Sequence, residues 1–419
     1  MNLLDMYAGV EDLELGAGAG DVGEAVEEAG KTEVAEVAVV IEEQSNQIEQ
    51  LVEQVTDLEE AVEEAVEVVD GLESLLGSGN FNSVAFSQLY NRGVKLANKL
   101  GGNIQGDRMG AESISDAATA QLMARTGMES IMDTIKEYGR KAIEFIKHIF
   151  NTVINFFVSI FNQADGVVRR TEQLRKRLND GAKIKEQVKL GGWNVYFDYA
   201  KNGLSGSSKA KPWDATQDAV AALATLGNNV SGITLEGFKS AYASVISAIK
   251  SDAKAAGKYN EKKSGNTDVL ISIDAGIRVQ ASFADNEIKD LGDAATHARS
   301  LKIVIMKDPE AKKLSSGETK AKLDKSALLA VLDHNKAAAN GTRGDKVAKK
   351  FTNAERDRVV GSLNAIKASD SDKTAEINKQ VTLVKAIFAS AASVTQAVSK
   401  HTMSTLKASC DGVAAHLSF

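Results

Sequence analysis

Only two prolines, Pro212 and Pro309, interrupt this chain of 419 residues, so almost nothing in the backbone forbids long helices. Ala, Lys, Glu and Val are plentiful, and low proline with many good helix formers favours helix over sheet. Aromatics are 5% of residues, so packing must lean on Val, Ile, Leu and Ala. The expected fold class is mainly α: long amphipathic helices forming an elongated helical bundle, with a small antiparallel β patch. A chain of this length buries a sizeable core, and two or three domains are the prior.

Charge divides the chain. Residues 1–76 hold 22 Asp/Glu against one basic residue, Lys31, a net of −21. Residues 77–419 carry 49 Lys/Arg and 35 Asp/Glu, a net of +14. An acidic segment before a basic body suggests an interaction tail or a removable segment beside a domain that tolerates polyanions. Five segments follow: 1–76 acidic and coiled-coil-like, 77–127 a linker with short helices, 128–190 a Phe-rich and then basic helix, 191–370 mixed, and 371–419 a C-terminal helix.

The acidic segment carries a heptad register. Ile41, Ile48, Val55, Val62, Val69 and Leu76 recur every seven residues, and Leu51, Leu58, Ala65 and Leu72 follow three after an a position. Such a seam buries itself only against another helix. Its flanks are almost all Glu, so a parallel homodimer would set like charges side by side. Docking on a basic surface, of a partner or of the chain's own body, is electrostatically better. Upstream, Gly18, Gly20 and Gly23 match a dinucleotide-binding pattern, but no buried strand precedes them and the neighbouring carboxylates would repel a pyrophosphate.

The spacing of Ile131, Ile135, Tyr138, Ala142, Ile146, Ile149, Val153, Phe156 and Ile160 predicts a helix over 130–163 with one broad apolar face. Phe145, Phe150, Phe156, Phe157 and Phe161 crowd its second half. Between Lys147 and Asp165 lie 17 uncharged residues, just short of a transmembrane span. The plain reading is a core helix; the sharper one is a face for a membrane or partner, engaged when the helix is released. Glu144 and Lys147, each costing up to about 3 kcal/mol at a bilayer centre, favour an interfacial position.

Basic residues follow directly: Arg169, Arg170, Arg175, Lys176, Arg177, Lys183, Lys185 and Lys189. A second basic stretch from Lys312 to Lys350 includes Lys313 and Lys349 and holds 10 Lys/Arg against 4 acids. Lysine-rich helices without interleaved aromatics neutralise phosphates but do not read bases, so any nucleic-acid contact is sequence-independent. The alternative is a solvated helix face.

Strand-like runs at 193–199 and 268–280 predict the β patch. Helices are expected near 82–100, 112–126, 214–226, 234–255, 285–300, 324–337 and 373–408. In the last of these Ile377, Val381, Val384, Phe388, Ala391, Val394 and Val398 share a face, and Ser371-Asp372 supplies the N-cap.

Catalytic chemistry finds little support. His148, His297, His334, His401 and His416 show no metal-ligand spacing, and there is no G-x-S-x-G and no P-loop. The lone cysteine, Cys410, excludes an intramolecular disulfide and reads as a small core residue. Met1-Asn2-Leu3-Leu4-Asp5 lacks the basic and apolar regions of a secretory signal. No catalytic residue, metal or cofactor is expected.

This arrangement resembles the internal head proteins, or prohead core proteins, of large tailed bacteriophages, in which an acidic helical propeptide precedes a basic helix-rich body. The run Glu129-Ser130-Ile131-Met132-Asp133-Thr134-Ile135-Lys136, leading into an Ile/Phe/Lys helix, is similar to openings in that group. The resemblance implies a non-enzymatic virion protein inside the head. Its partners would be other head proteins, possible oligomer or lattice contacts, and genomic DNA without sequence specificity; ejection with transient membrane contact is also implied. It further implies trimming by a protease that cuts after glutamate, for which Glu112 and Glu129 are the matching positions. Two rivals are a membrane-active helical protein using 130–163 and a cytoplasmic coiled-coil protein.

Overall fold

The computed structural model describes ten positions between 61 and 75, then residues 82–99, 117–197, 199, 203–204, 213–256, 258–264, 267–274, 276–307, 317–369 and 374–418. Side chains of the first long helix are described from Ile143.

Residues 61–75 are helical where described, and Ala61, Ala65, Val68, Val69 and Leu72 are buried. Ala65, Val69 and Leu72 belong to the heptad seam; Ala61 and Val68 widen it on one flank. The partner is the next helix, α1 (Ser83–Lys99), whose buried side carries Phe86, Tyr90, Leu96 and Ala97. Asn82 starts α1 by accepting the N–H groups of Val84 and Ala85, each at 3.1 Å. A Cβ at Gly71 would sit 3.2 Å from Leu89, and Glu64 meets Arg92 at 3.3 Å, so the two helices run antiparallel. α1 holds Arg92, Lys95 and Lys99 and no acid. The glutamate-rich helix therefore finds its basic surface in its own chain. The rest of the seam, with the glycine pattern at 18–23, lies outside the described residues.

α2 (Ala117–Asn179) is 63 residues long, a rod of roughly 95 Å. It fuses three expected pieces: the short helix near 112–126, the Phe-rich helix and the basic run. Gly127, Gly139 and Gly166 do not break it. Each costs about 1 kcal/mol of propensity, which tertiary packing overrides.

The C-terminal helix is more deeply buried than expected. Labelled α8 (Thr374–His416), it is buried on every side from Leu383 to Ala392. A helix stretch buried all round belongs at the centre of a fold, here with Lys385 and Ser390 buried among its apolar residues. It contacts α2, α3 (Asp214–Asn228), α5 (Leu291–Ser300), α6 (Lys325–Thr342) and α7 (Asn353–Ser369). Phe388 on α8 packs against Phe150 of α2 at 4.8 Å and against Phe351 at 5.6 Å between ring centroids. At Gly227 of α3 a Cβ would lie 3.0 Å from Ile387, so glycine sets how closely these two helices approach. The Ser371-Asp372 cap lies outside the described residues.

The β patch is a four-stranded antiparallel sheet in the order β2 (Lys258–Ser264), β3 (Thr267–Asp274), β4 (Ile277–Ala284), β5 (Lys302–Lys307). The expected strand at 268–280 is the β3–β4 hairpin. Along β4, Ile277, Val279, Ala281 and Phe283 are buried while Gln280 is exposed, the period of a half-buried strand. The strand expected at 193–199 is instead a 3-10 turn, Gly192–Tyr196. The reason is packing: Trp193 and Phe197, four apart, both enter the core, and Asn194 accepts the Tyr199 N–H at 2.9 Å. A two-stranded pair joins β1 (Gln187–Lys189) to β6 (Glu318–Lys320). α4 (Leu235–Ala256) backs β3 and α3.

One apolar cluster runs from Ile143 to Leu417, so the segments 128–190, 191–370 and 371–419 share a core.

Candidate nucleic-acid interface

Most of the basic run lies on the last turns of α2, where cations complement the negative end of the helix dipole. The structure spends part of it on interhelical ion pairs. Arg170 meets Asp411 of α8 at 2.6 Å, and Arg175 contacts Asp333 of α6. The traffic also runs the other way: Lys336 of α6 meets Glu172 at 2.6 Å, and Arg343 grips both oxygens of Asp165. These pairs stitch α2 to α6 and α8. They are partly exposed, so each contributes about 1 kcal/mol or less.

What remains gathers around the chain after α2. Ser418 donates its N–H to the Lys183 carbonyl at 2.9 Å, Lys185 donates to the His416 carbonyl at 2.8 Å, and Ile184 bridges Leu417. The β1–β6 pair then sets Lys189 opposite Glu318 and Lys320 opposite Gln187. Lys176, Lys183 and Lys189 are exposed and make no ion pair among the described residues. Lys185, Lys320 and Lys322 are exposed beside them, and Arg177 is half-buried. Arg169 is exposed farther back on α2. From the second stretch, Lys349 is exposed and Lys350 half-buried on a separate 3-10 turn, Ala348–Lys350, where the Lys350 carbonyl accepts from Asn228 at 3.2 Å. Lys312, Lys313 and Glu112 lie outside the described residues. Glu129 falls inside α2.

Behind the lysine cluster sits a buried polar lock that sequence reasoning missed. His416 Nδ1 lies 2.6 Å from the Gly412 carbonyl and must donate to it. Its Nε2 then accepts from the Tyr199 hydroxyl at 2.7 Å, and Tyr199 accepts the Lys322 N–H at 2.9 Å. Burial holds the His416 imidazole below its ordinary range, opposed by the Gly412 bond and reinforced by Lys185. Burial likewise raises the Tyr199 phenol. A neutral histidine and tyrosine thus tie three chain segments together beneath the lysines. The aromatic–His spacing spans more than two hundred residues, so no local signal marks it.

The phenylalanine face of α2 is core. Phe150, Phe156 and Phe157 are at most 3% exposed, and Phe161 is half-buried against Phe157. The Phe145 side chain lies outside the described residues. Among the described residues one helix is long and apolar enough to cross a membrane, Lys379–His416, and 83% of its apolar window is buried within the fold.

No group of His, Cys, Asp and Glu among the described residues has the arrangement of a metal site. Cys410 is fully buried between Thr171 and Asn335, and burial raises its thiol, which makes it a poor nucleophile. Asp333 and His334 point apart: Asp333 pairs with Arg175, and His334 lines a cavity of about 500 Å³ with Gln217 and Asp345.

The acidic helix thus precedes a basic, helix-rich body. A family model for phiKZ-like phage internal head proteins matches residues 36–415. The chain belongs to this family. It is a structural virion protein of the phage head interior. The matched span begins within the acidic segment, just ahead of the heptad seam, and ends in α8, so it covers both the acidic helix and the hub helix. No curated protein and no solved structure matches the chain.

Proposed function

We propose that this internal head protein works without catalysis, packed beside the phage genome and touching its phosphates through the lysines after α2. The single observation that carries this reading is the exposed group Lys176, at the end of α2, with Lys183, Lys185 and Lys189 just beyond it, where backbone bonds to His416 and Ser418 fix Lys183 and Lys185. No aromatic side chain stacks among them to read bases, so contact would be electrostatic.

The test is DNA retention by the full chain as a function of salt. Binding should be independent of sequence and fall steeply with salt. Replacing the four lysines with alanine should lower the slope of log K against log salt by up to about 3–4. An unchanged slope would move DNA contact elsewhere on the protein; no retention by the unaltered chain at low salt would leave protein–protein contacts as the basis for packaging.

For maturation, Glu112 is the better candidate of the two glutamates. A protease acting after Glu129 would have to unwind α2, because cleavage needs an extended segment.

A further inference from the structure

The two edges of the four-stranded sheet are built differently. β2 reads Lys-Tyr-Asn-Glu-Lys-Lys-Ser, with the charged side chains that guard natural sheet edges against pairing. β5 reads Lys-Ile-Val-Ile-Met-Lys and, among the described residues, pairs on one side only, with β4. Of the three large hydrophobic side chains exposed among the described residues, two are on β5: Val304 at 46% and Met306 at 40%. They lie two apart, on one face. Ile303, Val304, Ile305 and Met306 all border a groove of about 270 Å³ whose far wall is a stripe of α8 including Gln396, Ala397, Lys400 and His401. An edge strand with exposed apolar side chains accepts an added apolar strand, the geometry of β-augmentation.

We propose that the strand β5 accepts is β5 of a second copy, paired antiparallel about a two-fold axis at Ile305. The choice of occupant comes from register and charge. Centred on Ile305, the pairing sets Val304 against Met306 of the second copy twice, Ile305 against its own equivalent, and Ile303 against Lys307. Every apolar position meets an apolar side chain or a lysine stem, and no lysine faces a lysine. A one-residue slip, centred between Val304 and Ile305, sets Lys302 against Lys307 and turns each core face outward, which the side-chain period forbids. Val304 and Met306 together expose far less than the ~1,200 Å² of a stable interface, so the pairing is reversible and shows itself at high concentration.

The test uses the full chain with single cysteines, since native Cys410 is buried. An equimolar mixture of Val304→Cys and Met306→Cys should form a disulfide dimer under mild oxidation, with mass spectrometry locating the 304–306 link. Neither variant alone should crosslink faster than a Val84→Cys control, which is 51% exposed on α1. In sedimentation, the unaltered protein should self-associate from micromolar to submillimolar concentration. Val304→Lys/Met306→Lys should weaken that at least about tenfold, with unchanged circular dichroism. A chain that stays monomeric at the highest concentration overturns the proposal. So does a Val304→Cys variant that crosslinks with itself as fast as the mixture, because the register that selects a second copy would be lost.

Discussion

Replacing Phe388 with alanine is the sharpest test of α8 as the centre of the fold. Phe388 is fully buried, with Phe150 at 4.8 Å and Phe351 at 5.6 Å, and a Cβ at Gly227 would lie 3.2 Å from its ring. Truncating a buried phenylalanine costs about 3–5 kcal/mol, the larger values arising where neighbours cannot collapse into the cavity. Here the walls come from three separate segments, α2, α3 and the turn carrying Phe351. Two ring pairs are also lost, each contributing about 0.5–1.5 kcal/mol within that total. The upper half of the range is therefore expected, a large part of the roughly 5–15 kcal/mol that stabilises a typical domain. Urea unfolding followed by far-ultraviolet circular dichroism would measure it, with Val84→Ala as an exposed control expected to change by about 0.5 kcal/mol or less. A loss below about 1.5 kcal/mol for Phe388→Ala, at unchanged m-value, would refute the packing of α8 described above.

Two further outcomes follow from the geometry. Because the folded His416 pKa is depressed, unfolded chains bind the extra proton first; stability should be full above the ordinary value of 6.5 and decline as pH falls below it. His416→Gln should flatten that decline in thermal unfolding measured across the acid range, and an unchanged profile would contradict the lock. Removing residues 1–76 should leave unfolding of the 143–417 core within a few degrees, because that cluster contains no residue of α1 or the acidic helix. The same truncation should raise hydrophobic-dye binding by uncovering Phe86 and Tyr90; loss of cooperative unfolding would make the acidic helix part of the core.

Helices were legible wherever an apolar face met a polar one. The expected elements at 82–100, 214–226, 234–255 and 324–337 match α1, α3, α4 and α6 closely. α8 was placed correctly but misjudged, since a narrow apolar stripe and an all-round one look alike when Ala, Ser and Thr fill the remaining positions. α7 was missed because Val359 and Leu363 are the only fully buried hydrophobics among its described side chains. β2 and β5 were missed for opposite reasons: one is too polar to show a core face, and the other is six residues long. The charge split drew attention to what the acidic helix packs against; among the described residues its neighbour is α1, joined to it by the Glu64–Arg92 pair. For the basic run, sequence located the cations but not their partners. Asp411, Asp333 and Asp165 pair with Arg170, Arg175 and Arg343 respectively only through tertiary packing, and the exposed lysines beyond those pairs define the candidate surface.

Mass spectrometry of purified, protease-washed phage heads tests the central claim most directly. Peptides spanning the 143–417 core should survive external protease while the heads are intact and become susceptible once the heads are opened, with a mature N-terminus either in the acidic segment or at Ser113. Absence of the chain from DNA-filled heads, or its digestion while they are still closed, would contradict a structural role in the head interior.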